Sequence, residues 1–178
     1  MTTFYTGKGD GGTSKLGEKI LPKNHPIFEL LGTLDELNSW TGFCRVVASE
    51  PVAQSLIRLQ QGLFIAQAEA AAVGMAKTPQ VFIQNQTPLL EQEIQRINEM
   101  MPDIRSFIIP GGAECAARLD VARTIARRVE RAAATCAEIL TLRPELLQYL
   151  NRLSSIYFAL ARLVNWQAQV REEKPSYQ

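Results

Sequence analysis

The residues best suited to chemistry fall into two groups. The first is the opening stretch FYTGKGDGGTSKLG, Phe4 to Gly17, in which Gly7, Gly9 and Gly12 keep the G-x-G-x-x-G spacing. Glycines so spaced let backbone N–H groups approach a diphosphate, so a phosphate cradle is one reading and a plain flexible N-terminus the other. A dinucleotide fold is not the source of the pattern, because that fold needs a preceding strand, a helix starting inside the motif and a carboxylate about 20 residues later. Only six residues precede Gly7, and Thr13-Ser14 stands where a Walker loop requires Lys-Ser/Thr. The second group lies in ARTIARRVER. At roughly 100° per residue, Asp120, Arg123, Thr124, Arg127, Glu130 and Arg131 share one arc of a helix. Such an arc can be a solvated face laced with i, i+4 pairs. Its cations, however, are Arg123, Arg127, Arg128 and Arg131 with no lysine, and the planar fork of arginine suits fixed phosphate or carboxylate partners.

The elements that must position these groups are helices separated by proline. Pro26, Pro51, Pro88 and Pro144 each open a helical run, where a first turn tolerates them. A fourth helix is expected from Ala113 to Ala137, after FIIPGG, and the second is expected to run to Gly74. Five helices with short links and no convincing strand predict an all-α, five-helix antiparallel bundle behind a glycine-rich N-terminal segment. Residues 1–25 form that segment, residues 26–174 the bundle, and residues 175–178 a tail within EEKPSYQ, read as frayed. In the first helix Ile27, Leu30, Leu34, Leu37 and Cys44 form the apolar stripe, with Asp35, Asn38, Ser39 and Gly42 on another side. In the fourth the stripe is Val121, Ile125, Val129, Ala132 and Cys136. The last helix sets Asn151, Ser155 and Arg162 against Leu146, Leu150, Leu153, Tyr157, Leu160 and Val164. Between the third and fourth helices, Phe107, Ile108 and Ile109 run into Pro110-Gly111-Gly112 at a helix N-terminus, either a buried connection or a place where free backbone donors meet a ligand.

Composition bounds the rest. The chain has 178 residues, enough for one domain with a sizeable core, and a formal charge of +1 that leaves no nucleic-acid footprint. Cys44, Cys115 and Cys136 lack metal spacing, and MTTFYTG carries no apolar leader, so a reducing cytoplasm is expected. No apolar run approaches the ~18 residues of a membrane span.

Five blocks in order, YTGKGDGGTS, GTLDELNS, FIIPGG, ARTIARRVER and YLNRLSSIYFALAR, resemble the PduO-type ATP:cob(I)alamin adenosyltransferase family over nearly the whole chain. The resemblance implies a five-helix bundle assembled as a homotrimer with sites between subunits. It implies that the glycine segment wraps the ATP triphosphate. Thr6, Gly9, Asp10, Gly12, Thr13 and Ser14 fall on matching positions, and Lys23 on a phosphate-contacting lysine. Amides, hydroxyls and an ammonium suit a polyanion with Mg²⁺. Asp35 and Arg123 match an ion pair between neighbouring subunits, Arg127, Glu130 and Asn151 match residues that hold the nucleotide, and Phe107 matches an aromatic residue facing the lower side of cobalt. For Arg128, Arg131 and Arg152 ordinary structural pairing is the alternative. The chain departs from the family pattern in having Gly7 and Gly11 at positions usually basic, Lys8 at one usually Thr, Asp120 in place of His and Ser155 in place of Asp.

The implied reaction is displacement at C5′ of ATP by the cobalt of cob(I)alamin, with Lys8, Lys23, Arg127 and Mg²⁺ countering charge on the departing triphosphate. It needs no general base, in keeping with a single histidine, His25. A metal-binding carboxylate bundle would need Glu-x-x-His pairs on facing helices, which His25 alone cannot supply. A non-catalytic ATP- or corrinoid-binding carrier or sensor of the same fold is the remaining alternative. A corrinoid reductase or a client cobalamin-dependent enzyme is an expected protein partner.

Overall fold

The structure, a computed structural model, describes residues 4–73, 83–104 and 106–177. Among them are five α-helices: α1 (Pro26–Arg45), α2 (Val52–Ala71), α3 (Gln86–Met100), α4 (Glu114–Ala137) and α5 (Pro144–Gln167). Pro26 and Pro144 open their helices at the first position, whereas Pro51 is the N-cap of α2 and Pro88 sits inside the first turn of α3. The sole histidine is a cap as well: Nδ1 of His25 accepts from the backbone N–H of Ile27 at 3.2 Å. Residue 74, the expected end of the second helix, lies outside the described residues.

Order across the bundle runs α2, α1, α4, α5, α3, with each helix packed on its neighbours in that sequence. Residues 46–51 and 138–143 are too short to run back along helices of 20 and 24 residues, so α1 with α2 and α4 with α5 are antiparallel. The five stripe residues of α1 are wholly buried. On α4 the expected stripe needs correction. Val121 is 41% exposed and Ala132 only half-buried, and the core line is Leu119, Ala122, Ile125, Ala126, Val129, Ala133 and Cys136. Alanine carries this line because α4 is wedged between α1 and α5, where small side chains let helices approach. All three cysteines are free and buried, and burial pushes the Cys44 thiol up to about 12.

Two features lie outside the expected all-helical layout. Thr13–Leu16 (β1) and Lys19–Pro22 (β2) form a two-stranded antiparallel hairpin around Gly17-Glu18. Beyond α5 residues 170–177 turn back on the bundle. Gln169 takes a left-handed φ of 55°, and the Val170 N–H bonds back to the Asn165 carbonyl at 2.9 Å, a helix end of the Schellman type with glutamine where glycine is usual. The reversal sends residues 170–177 back beside α4 and α5, held by the Ile109 N–H donating to the Glu173 carbonyl at 2.9 Å.

Candidate functional site

The hairpin is what builds the glycine cradle. Thr13 pairs with Pro22 at its open end, and the Lys23 N–H donates to the Gly12 carbonyl at 2.9 Å, which brings the chain after β2 back against the glycine loop. A Cβ on Gly9 would lie 3.0 Å from Lys23 Nζ, so glycine is what lets the ammonium group come that close. Thr6, Gly7, Lys8, Gly9, Asp10, Thr13, Ser14 and Lys23 line one depression of about 560 Å³, together with Lys15 and Ile20. Two hydroxyl-bearing threonines, a serine and three lysines around it make a site for a polyanion.

The arginine arc of α4 is not part of that depression. Asn151 on α5 donates from Nδ2 to Glu130 Oε1 at 2.6 Å, joining two of the expected nucleotide contacts across helices. Arg127, one turn before Glu130, is exposed and makes no hydrogen bond or ion pair with the described residues. Two of its neighbours behave differently. Arg128 is paired with Glu36 of α1, and Arg152 Nε donates to Glu91 of α3 at 2.8 Å, the structural pairing that the alternative reading gives them. Asp35 is exposed on α1 with no partner among the described residues, and Arg123 takes Asp120 of its own helix instead, Nε to Oδ1 at 3.0 Å. The aspartate that stands where the resemblance expects histidine therefore already occupies the guanidinium. Ser155 is exposed and lines neither depression.

Phe107 is the centre of a second depression, of about 710 Å³. Ile104, Ile108, Ile109, Pro110 and Phe158 give it apolar walls, and Asp120, Arg123, Arg162, Asn165 and Glu172 its polar ones. Phe107 is 80% exposed, so residues 106–110 are not a buried connection but an apolar run presented to this space. Lys174, Pro175 and Tyr177 complete the wall. Sequence reading placed Arg162 on a polar stripe but had no signal for Phe158 or Asn165, which meet the loop from α5, or for Glu172, Lys174 and Tyr177, which reach it only through the reversal after that helix. Burial lowers the Arg162 guanidinium against the opposing charge of Asp120.

The site as a whole is thus a helical bundle that carries a polyanion cradle on an N-terminal hairpin and a wide, mainly apolar depression with charged residues in its wall. The chain belongs to the cobalamin adenosyltransferase family, whose model matches residues 4–164. It is 40% identical over 164 residues to the corrinoid adenosyltransferase PduO of Citrobacter freundii, covering 89% of this chain and 49% of that protein. It is 35% identical over 167 residues to the corrinoid adenosyltransferase of Bacillus subtilis strain 168, covering 91% of this chain and 86% of that one. A phenylalanine-to-histidine variant of the PduO-type ATP:corrinoid adenosyltransferase from Lactobacillus reuteri, complexed with cobalamin and ATP, superposes with a TM-score of 0.93 at 32% identity over 98% of this chain and 97% of that one. The chain spans about half the length of the PduO relatives it matches.

Proposed function

We propose that the chain transfers the 5′-deoxyadenosyl group of ATP to cob(I)alamin, forming adenosylcobalamin and releasing triphosphate. The observation that carries the reading is the pairing, in one small bundle, of the lysine-bearing cradle with an exposed aromatic ring in a depression wide enough for part of a corrin. In the step itself the C5′–O bond breaks with its electron pair leaving on triphosphate, and a carbon–cobalt bond forms from the electron pair of Co(I). The protein supplies position and charge. Lys8, Lys23 and Arg127 counter the triphosphate, Glu130 and Asn151 hold the nucleoside end, and Phe107 keeps water and the lower base from the face of cobalt opposite C5′. Among the described residues no three His, Cys, Asp or Glu side chains are grouped as a metal centre. Mg²⁺ would arrive on the phosphates of ATP, where Asp10, Thr13 and Ser14 offer oxygen ligands.

Arg127 and Glu130 do not line the cradle depression, and Asp35 lacks a side-chain partner among the described residues. Both facts support a site completed by a neighbouring copy, and we take the assembly to be a homotrimer with a site at each boundary. No helix among the described residues is long and apolar enough to cross a membrane, and the free buried thiols fit a reducing cytoplasm.

Anaerobic incubation with ATP and chemically reduced cobalamin tests the reading. The spectrum is expected to change as the carbon–cobalt bond forms, with one triphosphate released per adenosylcobalamin. Tight binding of both ligands with no triphosphate would make the chain a carrier or sensor. A second expectation concerns Asp35: Asp35→Asn should raise KM for the corrinoid more than KM for ATP, in a protein that light scattering finds trimeric. A monomer at micromolar concentration would rule out the shared site.

A further inference from the structure

Asn165 is 4% exposed, and every hydrogen bond of its side chain goes to one of the two segments that frame the Phe107 depression. Its Oδ1 accepts from the Ala113 N–H at 3.0 Å; its Nδ2 donates to the Gly111 carbonyl at 3.0 Å and to Glu172 Oε1 at 3.1 Å. One amide, with two donors and an acceptor, thus fastens the stem of the 107–112 loop to α5 and to the returning segment 170–177. The fit leaves no slack. Gly112 has a φ of 100°, and a Cβ there would meet Asn165 Oδ1 at 2.4 Å. The other carboxylate oxygen of Glu172 is paired with Arg162, both side chains being about 15% exposed, and the backbone bond from Ile109 to Glu173 ties the loop two residues from Phe107.

These fastenings matter because Phe107 itself is little packed. Phe107 is exposed and Ile109 and Pro110 are exposed beside it, so core packing does not set the orientation of the loop. We infer that Asn165, supported by Arg162 and Glu172, is a positioning residue that sets the height and tilt of the Phe107 ring by tying its loop to α5 and to residues 170–177. The inference rests on the reading of Phe107 as the ring that faces cobalt. It predicts that the clamp acts on the axially free state of Co(II), through the ring, and not on the nucleotide.

The test uses the whole chain in three variants, Asn165→Asp, Glu172→Ala and Phe107→Ala, each bound to cob(II)alamin and ATP without oxygen. Electron paramagnetic resonance reads the share of Co(II) without an axial ligand, beside KM for ATP and a thermal melt. Asn165→Asp keeps the acceptor for Ala113 but loses both donors and sets a carboxylate against Glu172. Glu172→Ala removes the carboxylate paired with the largely buried Arg162 guanidinium and leaves Asp120 as its remaining opposing charge. Both are expected to shrink the axially free signal and to slow adenosylation that starts from Co(II) about tenfold, within what a misplacement of 1 Å or less can cost, with KM for ATP changed less than about twofold. Should Asn165→Asp fail to fold, Glu172→Ala alone decides. A wild-type axially free share in the clamp variants, alongside its loss in Phe107→Ala, would overturn the positioning role while leaving Phe107 its own. A wild-type share in Phe107→Ala itself would remove the cobalt-facing role, and the inference with it.

Discussion

Replacing Arg127 by lysine is expected to lower kcat/KM for ATP about 10- to 100-fold, since losing a charge-assisted hydrogen bond in such a fork costs about 1.5–3 kcal/mol. The substitution keeps the charge, so the loss isolates geometry. A guanidinium offers two parallel N–H groups in one plane to a phosphate, and an ammonium offers a point charge. What favours a large effect is that Arg127 has no partner among the described residues, while Arg128 beside it is paired with Glu36 and Asn151 already reaches Glu130. An unpaired arginine one turn from a bonded Glu130–Asn151 pair is placed to close on a ligand. Steady-state kinetics decide the matter: constants for ATP within about twofold of wild type would return this arc to solvent.

Phe107→Ala is expected to slow adenosylation about 10- to 100-fold when Co(II) must be reduced on the protein, and less with prereduced cob(I)alamin. Reduction is hard while an axial donor holds cobalt, and in the proposed mechanism the ring acts by keeping that donor away. Once Co(I) is supplied, axial ligands are already disfavoured. Truncating a buried phenylalanine would cost ~3–5 kcal/mol and pull both rates down with the melting temperature. Here Phe107 is 80% exposed. A surface change of this kind stays within about 0.5 kcal/mol, a shift of roughly 2 °C or less for a chain of this size. Equal losses in both assays with a large fall in melting temperature would make Phe107 a packing residue after all.

Large aliphatic side chains made α1 legible: Ile27, Leu30, Leu34, Leu37 and Cys44 recur at helical spacing and all five are buried. On α4 the same reasoning slipped by part of a turn, because Ala116, Ala122, Ala126 and Ala133 carry much of the core and an alanine has too little apolar surface to mark a face by itself. The hairpin was missed because its strands are four residues each, although a glycine opening a two-residue turn is a hairpin signal. At the site, residue type alone suggested the cradle. Asn165 could not be suggested in that way. It is one polar residue near the end of an apolar helix, and its bonds reach 52 and 54 positions away. The segment Glu172-Glu173-Lys174-Pro175-Ser176 reads as solvent-loving, and only the left-handed turn at Gln169 brings it back to the bundle.

The Arg123–Asp120 pair has a bearing on how copies of this chain would come together. A guanidinium that met its first carboxylate only at a subunit boundary would make that contact a net gain of assembly. Here a carboxylate is in place at 3.0 Å before any neighbour arrives. An incoming Asp35 that displaced Asp120 would exchange one ion pair for another, and one that took the terminal nitrogens would meet a charge already partly neutralised through Nε. Exchanges of that kind nearly cancel, because the desolvation is spent once and the attraction merely changes hands. In the proposed trimer, cohesion between copies would then rest more on apolar surface than on this pair, and the charged pair would set the angle at which subunits meet.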